Sequence, residues 1–128
     1  MVRGLVKRRI LWMNMYRNLE VWKESIFLIK DVYKAVELLP KSEEYNLKQQ
    51  LKRSVVLVAL NIAEGKNRRT AKDFGNFLVT ANASLAEVDA AFAICEELNY
   101  FEVSKELKDR IDLLGRKISS LRNSLTRS

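Results

Sequence analysis

Apolar residues recur at steps of three and four along nearly the whole chain, and this period most constrains what the sequence can fold into. A spacing of three and four places side chains on one face of an α-helix, whereas a strand would need alternation. The first such segment carries Leu19, Trp22, Ile26, Ile29, Tyr33 and Val36. It stops at Leu39, because Pro40 disfavours a helical residue before it and has no N–H to donate. Ser42, followed by Glu43 and Glu44, reads as an N-cap and an acidic first turn.

The second segment carries Leu47, Leu51, Ser54, Val58 and Ile62 on one stripe. The run Val55-Val-Leu-Val-Ala-Leu60 lies within it. A strand competes for that run, but the flanking periodicity favours a helix. A helix apolar all round is buried all round, so the run points to a subunit interface. Gly65 reads as its C-cap. Thr70 and Asp73 resemble a capping box at the start of a third helix. That helix carries Phe74, Phe77, Leu78, Ala81, Leu85, Val88, Phe92 and Cys95. Beside this stripe run the small residues Gly75, Ala83, Ala86, Ala90 and Ala93, which would let another helix approach closely. Asn99 ends it. A last stripe runs through Val103, Leu107, Ile111, Leu114, Ile118, Leu121 and Leu125.

Four helices joined by short loops predict an all-α protein, an antiparallel up-down-up-down four-helix bundle over residues 15–128. Residues 1–14 read as a basic arm ahead of the bundle, either flexible or, since Met13 and Met15 offer alternative starts, an over-called stretch. No segment reaches the roughly 18 consecutive apolar residues of a membrane span, and the first residues lack a signal-peptide core. A cytoplasmic location is expected.

Composition narrows the chemistry. The 128 residues include no His, one Cys, four Gly and one Pro. Without His there is no Ser/His or Cys/His nucleophile pair, and the Glu-x-x-His set of a di-iron bundle is missing. No catalytic residue, metal or cofactor is expected. Gln50, Arg53, Asn61 and Glu64 on the second helix face Ser84 and Glu87 on the third, and read as a polar network that fixes helix register or subunit packing, the competing reading being a buried acid site. Cys95 reads as a buried, inert thiol and Trp22 as core. Trp12 lies in the basic arm and is a candidate for base stacking.

The formal net charge of +7 is unevenly placed. In an up-down-up-down bundle one end collects residues 1–17, the turn between the second and third helices, and the C-terminal tail. Arg3, Lys7, Arg8, Arg9 and Arg17 come from the first, with no acid. The turn adds Lys66, Arg68, Arg69 and Lys72, and the tail Arg116, Lys117, Arg122 and Arg127. The opposite end is net acidic. A basic pole concentrates polyanions with a salt-dependent affinity. The expected nucleic-acid contacts are therefore Lys7, Arg8, Arg9, Arg17, Lys66, Arg68, Arg69, Lys72, Arg116 and Arg122. The competing reading is that these cations complement helix dipoles.

The segments Leu19-Glu-Val-Trp22, Leu39-Pro-Lys-Ser-Glu-Glu-Tyr45, Gln50-Leu-Lys-Arg53, Asn61-Ile-Ala-Glu-Gly65, Phe77-Leu, Ser84-Leu-Ala-Glu87 and Leu98-Asn-Tyr100 together resemble the four-helix-bundle proteins encoded in intervening sequences of 23S ribosomal RNA genes. That family is similar in fold to the accessory variability determinant of diversity-generating retroelements. The resemblance covers residues 16–122. It implies a bacterial protein, a homopentameric ring, no known catalysis and, on the retroelement side, RNA or DNA and a reverse transcriptase as partners. The sequence departs from the family pattern at Leu57-Val-Ala-Leu60, where a Ser-Ile-Pro-Ser stretch is common, and at Ala83 and Asn99, where Gly is common.

Overall fold

The structure, a computed structural model, describes residues 15–126. Four long helices form a bundle: α1 (Glu20–Ala35), α2 (Leu47–Lys66), α3 (Ala71–Glu97) and α4 (Lys105–Leu125). Short 3-10 turns cover Met15–Asn18, Val36–Leu38 and Lys41–Glu43, and no strand occurs among the described residues. Each helix packs on the next in sequence, and α1 also packs on α4; α1 is therefore diagonal to α3.

The stripes predicted for α2, α3 and α4 meet in one core, but α1 turns a different face to it: Val21, Ser25, Leu28, Val32 and Val36 are buried, whereas Trp22, Ile26 and Ile29 of the expected stripe are half-buried and Tyr33 is exposed. Leu28, Val32, Leu51, Val55, Val58, Ile62, Leu78, Val88, Leu114 and Ile118 are fully buried. Cross-helix polar pairs fix how the helices lie. Lys117 meets Glu20, whereas Arg110 meets Asp31, so residue numbers rise along α1 as they fall along α4. The same opposed order relates α2 to α3, where Gly65 lies against Phe77 and Ser54 bonds Glu87.

The boundaries follow local chemistry with two exceptions. Leu39 is extended before Pro40, and Asn99 takes a left-handed φ of 59° just beyond α3. Thr70 caps α3, its Oγ1 accepting from the Asp73 N–H at 3.1 Å. Ser42, however, does not cap α2. It lies in the 3-10 turn Lys41–Glu43, and α2 begins only at Leu47 after Asn46. Gly65 is not a C-cap either. The helix runs on through Lys66 to Asn67, and Gly65 is buried inside it without a positive φ.

The apolar run of α2 is only partly enclosed. Val55, Val58 and Ala59 are buried, Val56 and Leu57 half-buried, and Leu60 is 56% exposed. The alanines at 83, 86, 90 and 93 all face outward, joined by Val79 and Ile94, which are nearly half exposed. By length and composition α3 is apolar enough to cross a membrane, yet only 39% of its most apolar stretch is buried in the bundle. No unbroken apolar run marks this in the sequence, because Ser, Thr and Asn interrupt the alanines without much lowering the average.

Candidate nucleic-acid interface

The turn from α2 to α3 is built to hold two of its cations and leave two free for other partners. Arg68 donates from Nη2 to Glu64 Oε1 at 2.8 Å, one helical turn back, and its guanidinium lies 4.6 Å from the Phe77 ring centroid. Lys66, half-buried, sits 5.8 Å from the Phe74 centroid. These cation–π contacts tie the turn to the base of α3. Arg69 and Lys72 are exposed and form no ion pair among the described residues. Thr70 already caps the start of α3, and the Phe74 N–H bonds the Thr70 carbonyl, so the first turn is ordered.

Arg122 joins this group from α4. Its stem crosses Gly75, where an added Cβ would lie 3.9 Å from Arg122 Cγ. Arg122 thus stands over the same first turns of α3 that carry Lys72. Arg17 lies in the 3-10 turn Met15–Asn18, which packs on both α1 and α2; its guanidinium is 5.8 Å from the Tyr16 ring.

Two other cations of α4 are paired with acids. Lys117 reaches Glu20 at 2.6 Å and Glu24 at 3.5 Å. The hydrogen bond to Glu20 holds the Lys117 ammonium above its ordinary pKa, and the same bond holds Glu20 below its own. Arg116 pairs with Asp112 at 2.7 Å, one turn away on α4. The basic pole expected from the sequence is therefore weaker than a count of its cations, because acids on α1 and α4 lie beside them. Lys7, Arg8 and Arg9, with Arg3, Trp12 and Arg127, lie outside the described residues. Among the ten expected contacts the structure gathers Lys66, Arg68, Arg69, Lys72 and Arg122 about the start of α3, with Arg116 paired further along α4.

The polar network differs from the one expected. Ser54 Oγ donates to Glu87 Oε2 at 3.0 Å, and Gln50 Nε2 reaches both Ser54 Oγ at 3.0 Å and Glu87 Oε2 at 3.3 Å. Arg53 is exposed, Asn61 donates to the Leu57 carbonyl, and Glu64 serves Arg68. Ser54 was hidden because it sits on the apolar stripe of α2. The network bridges α2 and α3. Cys95 is fully buried, and burial pushes its thiol pKa up, the opposite of what a reactive thiolate needs. Among the described residues no group of three or more Cys, Asp or Glu is placed to hold a metal ion.

Residues 17–120 match the family model described as 23S rRNA-intervening sequence protein. A solved structure of a protein of unknown function from the S23 ribosomal protein family of Bacteroides thetaiotaomicron is similar, with a TM-score of 0.65 and 20% identity. The match covers 84% of this chain and 99% of that one. At that identity the likeness concerns the fold. No curated protein matches.

Proposed function

Since the chain belongs to the 23S rRNA-intervening sequence protein family, we propose that it is a non-catalytic, oligomeric accessory protein that binds RNA or DNA without sequence specificity. The observation that carries the binding reading is the group of Arg69, Lys72 and Arg122 around the first turns of α3, exposed and without acid partners among the described residues. Cations so placed can neutralise phosphates, and backbone contact of this kind reads charge and not bases. The resemblance to the retroelement accessory determinant makes a reverse transcriptase a candidate partner. The rival reading is a structural oligomer with no nucleic-acid role.

The assembly proposed is a homopentameric ring of antiparallel up-down-up-down bundles. The opposed order of the cross-helix pairs supports the antiparallel part. The outer face of α3 supports the assembly: Val79, Ala83, Ala86, Ala90 and Ile94 present a smooth, uncharged strip to solvent. From Val79 to Ile94 the strip is about 22 Å long, and with the adjoining side of α2 it is about two helix spacings wide. That offers about 450 Å², about half of what one partner buries in a standard interface. The occupant proposed is a second copy of this chain. In a ring each subunit presents two different patches, and α3 is one of them.

Titration of the full chain against labelled RNA and DNA at two salt concentrations tests the binding. Affinity should fall steeply with salt, and R69E/K72E/R122E should weaken it while leaving helicity unchanged. No binding at low salt would refute the nucleic-acid reading and leave the structural oligomer.

A further inference from the structure

On the side of the bundle away from α3, the outward row of α1 carries Lys23, Phe27, Lys30 and Lys34. Steps of four, three and four put all four side chains on one line, opposite the buried Val21, Ser25, Leu28 and Val32. The row is about 16 Å long. Phe27, in the middle of the helix, is 53% exposed.

The row is purely cationic because every acid near it is engaged on a flank. Glu20 and Glu24 turn to Lys117, and Asp31 to Arg110. Glu37 turns to Lys48. None of Lys23, Lys30 and Lys34 forms an ion pair among the described residues. The Phe27 ring has the Lys30 ammonium 5.6 Å from its centroid and the Arg110 guanidinium 5.9 Å away. An exposed ring in a row with the unpaired Lys23, Lys30 and Lys34 combines the two elements that hold a nucleic-acid single strand: a π-face for a base and ammonium groups for the flanking phosphates. A duplex keeps its bases stacked and cannot use the ring.

We infer that the Lys23–Phe27–Lys30–Lys34 row of α1 is a second nucleic-acid site, one that takes single-stranded RNA or DNA by stacking a base on Phe27. It rests on the nucleic-acid reading above but not on the residues of the α2–α3 turn. Because α1 is diagonal to α3, the copy that covers the apolar face of α3 does not itself cover this row.

The test is fluorescence anisotropy of the full chain with labelled oligo(U), oligo(dT) and a DNA duplex of the same length. Phe27→Ala should weaken single-strand binding about fivefold to a hundredfold and duplex binding less than about twofold. Phe27→Trp should restore it and show fluorescence quenching on titration. Replacing Lys23, Lys30 and Lys34 by Gln should flatten the single-strand salt dependence by about two logarithmic units per decade of salt. Comparing oligo(U) with oligo(dT) tells whether RNA or DNA is preferred. If wild type binds no nucleic acid, both readings fall. If wild type binds and these variants match it, the row is not a site and the α2–α3 turn stands alone. If Phe27→Ala weakens duplex and single strand equally, base stacking is refuted.

Discussion

Gly65 and Phe77 stand so close that a Cβ on the glycine would lie 2.7 Å from the Phe77 Cβ and 2.9 Å from Phe74 Cδ1. The helices α2 and α3 meet there backbone to ring, directly below the basic turn. Gly65→Ala should destabilise the fold. Overpacking costs about 1–3 kcal/mol, which exceeds the gain of about 1 kcal/mol in helix propensity. Gly115 is the contrast, since a Cβ there meets Leu85 Cδ2 at an easy 3.4 Å. Gly115→Ala should be neutral or stabilising by up to about 1 kcal/mol. Urea denaturation of the two variants, side by side, checks the pair.

Ser54, 1% exposed, is the buried member of the α2–α3 network. Removing its hydroxyl should cost about 1 kcal/mol, and a double-mutant cycle with Glu87→Gln should return a coupling of similar size. A coupling near zero would show that the Ser54–Glu87 bond adds nothing to the packing around it.

The Tyr100 hydroxyl donates to Glu43 Oε2 at 2.7 Å, joining the stretch after α3 to the 3-10 turn before α2. That bond is the main reason the Glu43 carboxyl is held below its ordinary pKa, and it holds the Tyr100 phenol above its own. For Glu43 the folded state binds its proton less readily than the unfolded state does. Its contribution is thus complete above the ordinary carboxylate range and is lost as pH falls through the lowered value. For Tyr100 the contribution is complete below the ordinary phenol range and is lost as pH rises through the raised value. Tyr100→Phe should lower stability near neutrality and reduce its change at both extremes. Melting temperatures from acid to alkaline pH measure it, and parallel profiles for the two proteins would count against the bond.

The outer face of α3 makes a prediction about mass. Wild type should sediment as a multiple of 14.9 kDa, and Ala86→Arg or Ala90→Arg should sediment as a monomer with unchanged helicity. Both alanines are exposed, so arginine fits on the isolated bundle and is costly only where another subunit must cover it. A monomeric wild type would end the ring reading, and an arginine variant that stays assembled would move the contact off α3.

What could be seen in the sequence was what depends on near neighbours. Pro40 and Asn99 act on their own backbone, and Thr70 caps a group three residues away, so these boundaries were legible. The stripes of α2, α3 and α4 were legible because helical period alone selects their core faces; α1 has apolar residues on two adjoining rows, and only packing shows that Val21, Leu28 and Val32, not Trp22, Ile26 and Tyr33, face inward. Gly65 was misread because its role is set by Phe77, a residue of the next helix that no local rule mentions. The partners of Lys117 lie on α1, so the tail looked more positive than it is. Ser54 was read as part of an apolar stripe, and only the position of Glu87 shows why a hydroxyl belongs there. The alignment of Lys23, Phe27, Lys30 and Lys34 could be counted in advance; that the row faces water follows only from the packing of α1.

Cys95 is the only thiol in the chain and is wholly enclosed. The folded bundle is thus sealed against thiol reagents, and labelling must wait for the packing around α3 to open. The protein carries its own clock for that opening: modification at Cys95 reports how often the core is breached, with no engineered probe. Bound RNA, DNA or a neighbouring subunit that holds α3 shut would slow that clock by the factor with which it stabilises the closed form.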